Sequence, residues 1–492
     1  MVISNTLVSI TSALILGLLL IFVVPLYLNY LDYESYALIG ISIVLNSLSQ
    51  IFDLGFHQII MRKTSLCIAQ KYSENELITL FKSIEKVLLV ISLFLIVIVL
   101  NFSELIISDF LNVENIDEQS LRISIILISS LLIVKAFYGV YRGGIQGFEE
   151  FKWVSYFSLL FNFLRYLGGF LLLAFWQDVN KFFILQLVLS CIEIFYFRSK
   201  YLSFFNNIKS QVHFSWRNLI NELSFSKSLT YISIIWVLLL QLDKFILMRF
   251  LTLEEFGYFT TLMIFSTGIL SMVIPFGQIV ISKLTLYSSD NEFNKLKKTY
   301  GELTQLCILI FFPIIVSLSI YSWEFIYLVT NDNDVANWGE LILAILLVGN
   351  FFSIIGGFQY YLQISKGVLS LQSRYITILL FTYVPILYFF INSFGVLGAA
   401  FCWLVFRAIT FFIWMPFIHY KLLPGGHWSW FKENIVSIIF GTMIVTLIII
   451  YNYPSVHITS KPNILYSIFF TWLFIFIGAC VSSSYARRFL FK

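Results

Sequence analysis

Fourteen stretches of this chain stay apolar long enough to cross a bilayer. They fall at about 7–29, 36–60, 84–101, 121–141, 153–175, 182–203, 228–250, 255–280, 301–321, 339–361, 375–391, 396–418, 435–452 and 463–482. A helix rises about 1.5 Å per residue, so some 30 Å of hydrocarbon takes roughly 20 such residues. The third, eleventh and thirteenth runs are the shortest, and the pattern predicts an all-α polytopic membrane protein with 12–14 transmembrane helices. The outside turns are short, which leaves no room there for an extramembrane catalytic domain.

One segment of this pattern is used twice. Leu31–Lys63 lies over Leu251–Lys283 at a constant offset of 220, matching Glu34 with Glu254, Gln58 with Gln278 and Lys63 with Lys283. Each copy is an acidic turn, an apolar run and a basic exit. A doubled pattern in a membrane protein points to a transporter built from repeats. The expected organisation is a six-helix lobe over 1–203, a cytosolic linker over 204–227 and a second six-helix lobe over 228–418. Two further helices and a tail follow over 419–492, outside the repeat. The lobes are expected to be related by a pseudo-two-fold rotation.

Composition agrees with the pattern. The chain is 59% hydrophobic and 12% charged, too apolar for a water-soluble core. With the N-terminus placed in the cytosol, the inside loops hold 23 of the 31 Lys and Arg residues. The outside turns hold Arg122, Lys181, Arg249 and Lys461. That asymmetry predicts a multi-pass protein with both termini in the cytosol. Acids such as Asp117, Asp178, Glu255 and Asp332 gather in the outside turns. The net charge of +4 follows the loops and implies no nucleic-acid partner. Trp323, Trp338, Trp428 and Trp430 fall near span ends and are expected to be interface anchors.

Seven ionisable residues are left inside the spans: Asp53, Lys135, Arg165, Glu193, Asp243, Lys244 and Arg407. A charge at mid-bilayer costs roughly 2.5–3.5 kcal/mol on insertion scales, so each needs a partner or a wet cavity. Arg165, Glu193 and Arg407 lie roughly 15 Å or more from both ends of their spans, too deep to snorkel. Glu193 and Arg407 occupy matching places in the sixth and twelfth spans. Four cations against three anions favour an anionic ligand, and guanidinium groups suit phosphate because their N–H donors lie in one plane. Arg165, Arg407, Lys244 and Lys135 are therefore the candidate substrate-binding residues. Asp53, Asp243 and Glu193 are candidates for ion coupling or for holding the cations in place.

Enzyme signatures are absent from the sequence: it has no HExxH, GxSxG, Walker loop or paired CxxC. No catalytic residue, metal or cofactor is expected. The five histidines come one at a time at helix ends or in loops, which suggests solvated or capping roles. Gly143-Gly144-Ile145-Gln146-Gly147 reads as a glycine-rich turn, with no strand before it to make a phosphate cradle.

Three stretches carry a resemblance. Ile51-Phe52-Asp53-Leu54-Gly55 leading to Arg62 resembles the end of the second helix of Wzx-type O-antigen flippases. Tyr141-Arg142-Gly143-Gly144-Ile145-Gln146-Gly147-Phe148 is similar to their fourth-to-fifth helix turn. Asp243-Lys244-Phe245-Ile246-Leu247, then Leu253-Glu254-Glu255-Phe256-Gly257-Tyr258, resembles their seventh-to-eighth helix region. The resemblance covers roughly residues 1–420. It implies a MATE-like fold of the multidrug/oligosaccharidyl-lipid/polysaccharide exporter superfamily. It also implies alternating access around a cationic lumen, with undecaprenyl-diphosphate-linked oligosaccharide as substrate and other polysaccharide-assembly membrane proteins as partners. The rivals are a drug or cation antiporter of that superfamily and a membrane enzyme such as a polymerase.

Overall fold

Acids in the connecting turns start several helices. The computed structural model describes residues 2–490 except 53–55, 69, 71, 111–115, 206–215, 290–291 and 453–456. Asp117 caps α5 (Glu118–Gly147), accepting a hydrogen bond from the Ser120 amide at 3.2 Å. Asp178 caps α7 (Val179–Ser203) at the amides of Asn180 and Lys181, and Asp332 caps α12 (Asn333–Ser365) in the same way. Thr252 and Glu255 form a reciprocal capping box at the head of α9 (Leu253–Ser289). Each cap satisfies amides that the helix itself leaves orphaned, and a negative group there suits the helix dipole.

The described residues are helical almost throughout. Before α5 come α1 (Val2–Leu28), α2 (Tyr33–Phe52), α3 (Phe56–Ile68) and α4 (Glu74–Phe110). α6 spans Phe151–Trp176 and α8 Trp216–Phe250. α10 (Phe293–Ile320) and α11 (Ser322–Thr330) precede α12, and α13 follows over Leu369–Ile409. A π-helical turn over Thr410–Trp414 leads into α14 (Met415–Leu422) and α15 (His427–Phe431). A second π turn, Lys432–Val436, leads into α16 (Ser437–Tyr451), then α17 (Lys461–Ser482) and α18 (Ser484–Leu490). Ten helical runs among the described residues are long and apolar enough to cross a membrane. The run Leu369–Leu422 has 54 residues, about 80 Å of helix, and so must turn back on itself. It does so at Gly395, whose φ of 57° and ψ of −137° suit only glycine. Two spans expected at 375–391 and 396–418 thus meet at one glycine. The third expected span was among the shortest by hydropathy, yet it lies in a helix of 37 residues, α4.

The helices pack as two compact units, Met1–Thr260 with Ser373–Phe381, and Thr261–Gln372 with Thr382–Lys492. In the first, Phe56, Phe81, Tyr141, Phe197 and Tyr201 belong to one buried cluster joining α3, α4, α5 and α7. The glycines of 143–147 are the last turns of α5, not a loop. A Cβ on Gly143 would meet the His57 carbonyl, and one on Gly147 the Met61 carbonyl, so these positions let α3 lie close. Between α2 and α9, Gly40 and Thr260 are in contact, and a Cβ on Gly40 would collide with the Thr260 side chain. Alongside, the rings of Tyr33 and Tyr258 meet edge to face at 4.6 Å.

In the second unit the two terminal helices are fastened by buried polar groups. Gln305 of α10 donates to Asn434 Oδ1 at 2.8 Å and to Ser484 Oγ at 2.9 Å, and accepts from Ser483 Oγ at 2.7 Å. Trp430, expected as an interface anchor, is buried here and donates to Thr304 Oγ1 at 3.1 Å. Trp323 is buried too, with its N–H on Asn337 Oδ1 at 2.7 Å. A buried indole needs such an acceptor. Trp428 alone of these three stands exposed, as an anchor should.

Candidate functional site

Three of the seven intramembrane charges share one seam. Lys135 on α5, Arg165 on α6 and Glu193 on α7 come together inside the first unit, where these helices pack on one another. Helical periodicity supplies the rest of the seam. Tyr138 is three residues beyond Lys135, Ser158 lies two turns before Arg165, and Ser190 is three before Glu193. Tyr138 and Ser158 share a hydrogen bond of 2.9 Å between hydroxyls. Gln186 donates to the Arg165 carbonyl at 3.4 Å.

Arg165 is 5% exposed and Glu193 is 2% exposed. The Arg165 Nη2 lies 2.5 Å from Glu193 Oε2 and donates also to Ser190 Oγ at 3.0 Å. A guanidinium has five N–H bonds. Nη2 uses its two, while Nε and Nη1 have no partner among the described residues, which leaves three donors buried and idle. Buried donors normally find acceptors, so three idle N–H groups on one buried guanidinium set Arg165 apart. Lys135 makes no ion pair among the described residues. Its Nζ lies 5.5 Å from the centre of the Tyr138 ring, within electrostatic reach of Arg165, Glu193 and Arg142. The seam therefore holds two cations against one anion.

The other candidates lie elsewhere. Lys244 on α8 folds onto its own neighbour, with Nζ 2.8 and 3.1 Å from the two Asp243 carboxylate oxygens and 2.5 Å from the Leu240 carbonyl. Those three acceptors match the three hydrogens of an ammonium, so nothing is left over. Arg407 belongs to the second unit and lies over the Trp403 ring, its guanidinium carbon 4.0 Å from the ring centre. Trp403 in turn donates to Asn350 Oδ1 at 3.2 Å, and Asn350 donates to Ser266 Oγ at 2.6 Å. Gly349 leaves the space that this indole fills. Glu193, at matching depth to Arg407 by sequence, is engaged by Arg165. Asp53 lies outside the described residues.

Sequence reasoning missed Ser190 and Tyr138, which only their helical phase with Arg165 and Lys135 could have signalled. It also misread two histidines as solitary. His419 is fully buried, with Nε2 2.8 Å from the Tyr300 hydroxyl and Nδ1 2.9 Å from Nδ1 of His427, so the two rings share one hydrogen. No cluster of three or more His, Cys, Asp or Glu that could hold a metal occurs among the described residues.

Comparison with known proteins adds three findings. A family described as "Polysaccharide biosynthesis protein" matches residues 30–333. A Shigella flexneri protein named "Putative O-antigen transporter" is 22% identical over 379 residues, which is 75% of this chain and 86% of that protein. Among solved structures, the lipid II flippase MurJ in an inward closed conformation superposes with a TM-score of 0.75 at 15% identity, covering all of both chains. An inward-facing multidrug resistance MATE family transporter of the MOP superfamily gives a TM-score of 0.65 at 12% identity, covering 85% of this chain and 99% of that one. The fold is the MATE-like one of all-α, multi-pass transporters.

Proposed function

Because the chain belongs to the polysaccharide biosynthesis protein family, we propose that it is a flippase for undecaprenyl-diphosphate-linked oligosaccharide, such as an O-antigen repeat unit. It carries this substrate from the cytosolic to the periplasmic leaflet of the bacterial inner membrane by alternating access between lobes over 1–203 and 228–418. Both termini are cytosolic. A sugar and a diphosphate cannot cross hydrocarbon unaided, so a protein must supply polar contacts while the polyprenyl tail stays in lipid. The observation that carries the reading is Arg165, a buried guanidinium with three unpartnered N–H bonds beside a second cation. It binds the diphosphate, with Lys135 beside it in the same seam; Arg407, over the Trp403 ring, is a further candidate for binding an anion. Lys244 and Asp243 hold each other and act as structure. A relative named as an O-antigen transporter and a MurJ-like fold support the same substrate class. A cation-extruding antiporter would want the opposite charge balance in this seam.

The test is reconstitution in vesicles with a labelled lipid-linked oligosaccharide. The wild-type protein is expected to deliver the label to the opposite leaflet. Transport of cationic drugs without movement of the lipid-linked sugar would overturn the reading. Orientation is tested separately by reporter fusions, expected to read periplasmic after Asn333 and cytosolic after Gly425.

A further inference from the structure

We infer that Glu193 is a built-in competitor for the anion site: its carboxylate occupies Arg165 while the site is empty, and passes to Lys135 when a phosphate group arrives. This rests on the reading of Arg165 as the diphosphate contact. The geometry has three parts. Glu193 is buried and engages the guanidinium through a single nitrogen, Nη2, which Ser190 also holds. The donors on Nε and Nη1 have no acceptor among the described residues. Lys135 lies within electrostatic reach of both Arg165 and Glu193, and its ammonium has only the Tyr138 ring for company.

Consider what an entering phosphate meets. The idle N–H groups attract it, but the carboxylate beside them carries the same sign of charge and is poorly screened at this depth. Arg165 alone cannot serve both anions well. Two cations and one carboxylate leave one positive charge over, so the seam can take a second anion if the two anions divide the cations between them. Arg165, with several donors in one plane, suits the phosphate, and the point charge of Lys135 suits the carboxylate. Ser190 keeps its hydrogen bond to Nη2 through the exchange. In the empty site Glu193 thus neutralises Arg165, which limits the cost of a bare guanidinium in the membrane, and affinity for the anion is held down by the same contact.

The experiment measures binding of undecaprenyl diphosphate to the purified full-length protein in phosphatidylcholine nanodiscs. Glu193→Gln is expected to bind about tenfold more tightly than wild type, because the competing charge is gone. Lys135→Met is expected to weaken binding about tenfold in the wild-type background and by no more than about twofold in the Glu193→Gln background, since there is then no carboxylate to receive. Arg165→Gln should lose binding in either. Unchanged or weaker binding by Glu193→Gln, with loss in Arg165→Gln, would overturn the competitor role and leave the flippase site standing. Equal effects of Lys135→Met in both backgrounds would overturn the handover. Normal binding by Arg165→Gln would remove the site itself. Should Glu193→Gln not insert, Glu193→Asp, a shorter arm with the same charge, is expected to raise affinity about threefold, and an unchanged affinity overturns the inference.

Discussion

Lys244 with Asp243 and Arg165 with Glu193 are both buried ion pairs in the first unit, yet one is closed and the other is open. The closed pair joins neighbours in one helix, and all three ammonium hydrogens have acceptors. The open pair bridges two helices across 28 positions and leaves three guanidinium donors idle. A closed pair has nothing to offer a ligand. An open pair can exchange one partner for another. Both pairs place charge inside the membrane; the count of donors left after the protein has satisfied itself is what separates them.

The comparison can be broken most sharply by removing both charges of each pair at nearly constant shape. The double change Arg165→Gln, Glu193→Gln removes one charge of each sign and leaves the net charge of the seam unchanged, with Lys135 as its remaining cation, so the protein should insert and melt within a few degrees of wild type. Its transport of lipid-linked oligosaccharide should fall at least about a hundredfold, the loss expected when a charge-assisted contact to substrate disappears. Retained transport would make the open pair as structural as the closed one. Next in size is the single change Lys244→Met. It strands the Asp243 carboxylate, and breaking a buried pair in this way costs about 3–5 kcal/mol, seen as a large fall in melting temperature. A stable Lys244→Met protein would show that Asp243 has another partner.

Smaller effects sharpen the contrast. Arg407→Lys keeps the charge but loses the flat stack on Trp403, worth about 0.5–2 kcal/mol. A drop of a few degrees in melting temperature with partial transport is expected, and complete loss of transport would raise Arg407 to the rank of Arg165. The smallest effect should come from the double change Asp243→Asn, Lys244→Gln. With both charges gone, transport should stay within about threefold of wild type. A hundredfold loss there would show that the closed pair opens during the cycle.

Much of this molecule was legible before any coordinates. Apolar runs of about 20 residues mark spans because lipid forbids unpaired backbone, and that rule acts locally. The caps of Asp117, Asp178 and Asp332 have a similarly local cause, since a cap bonds amides two or three residues away. The contact of Arg407 with Trp403 was within reach too, because residues four apart share a helix face.

Hydropathy and charge along the chain determined by themselves that this is a multi-pass helical membrane protein, and which seven ionisable residues lie in its spans. Only the tertiary structure decided which of them meet. Arg165 finds Glu193 because α6 and α7 pack in one rotational phase and at one relative height, and no local preference encodes either. The same holds for His419 and His427, which read as solitary until α14 and α15 folded together against α10. Neighbours in sequence misled in the other direction: side chains one apart point to different sides of a helix, yet Lys244 has enough length to fold back onto Asp243. A sequence lists the charges, and the rotation and rise of each packed helix settle which ones are left with donors to spare.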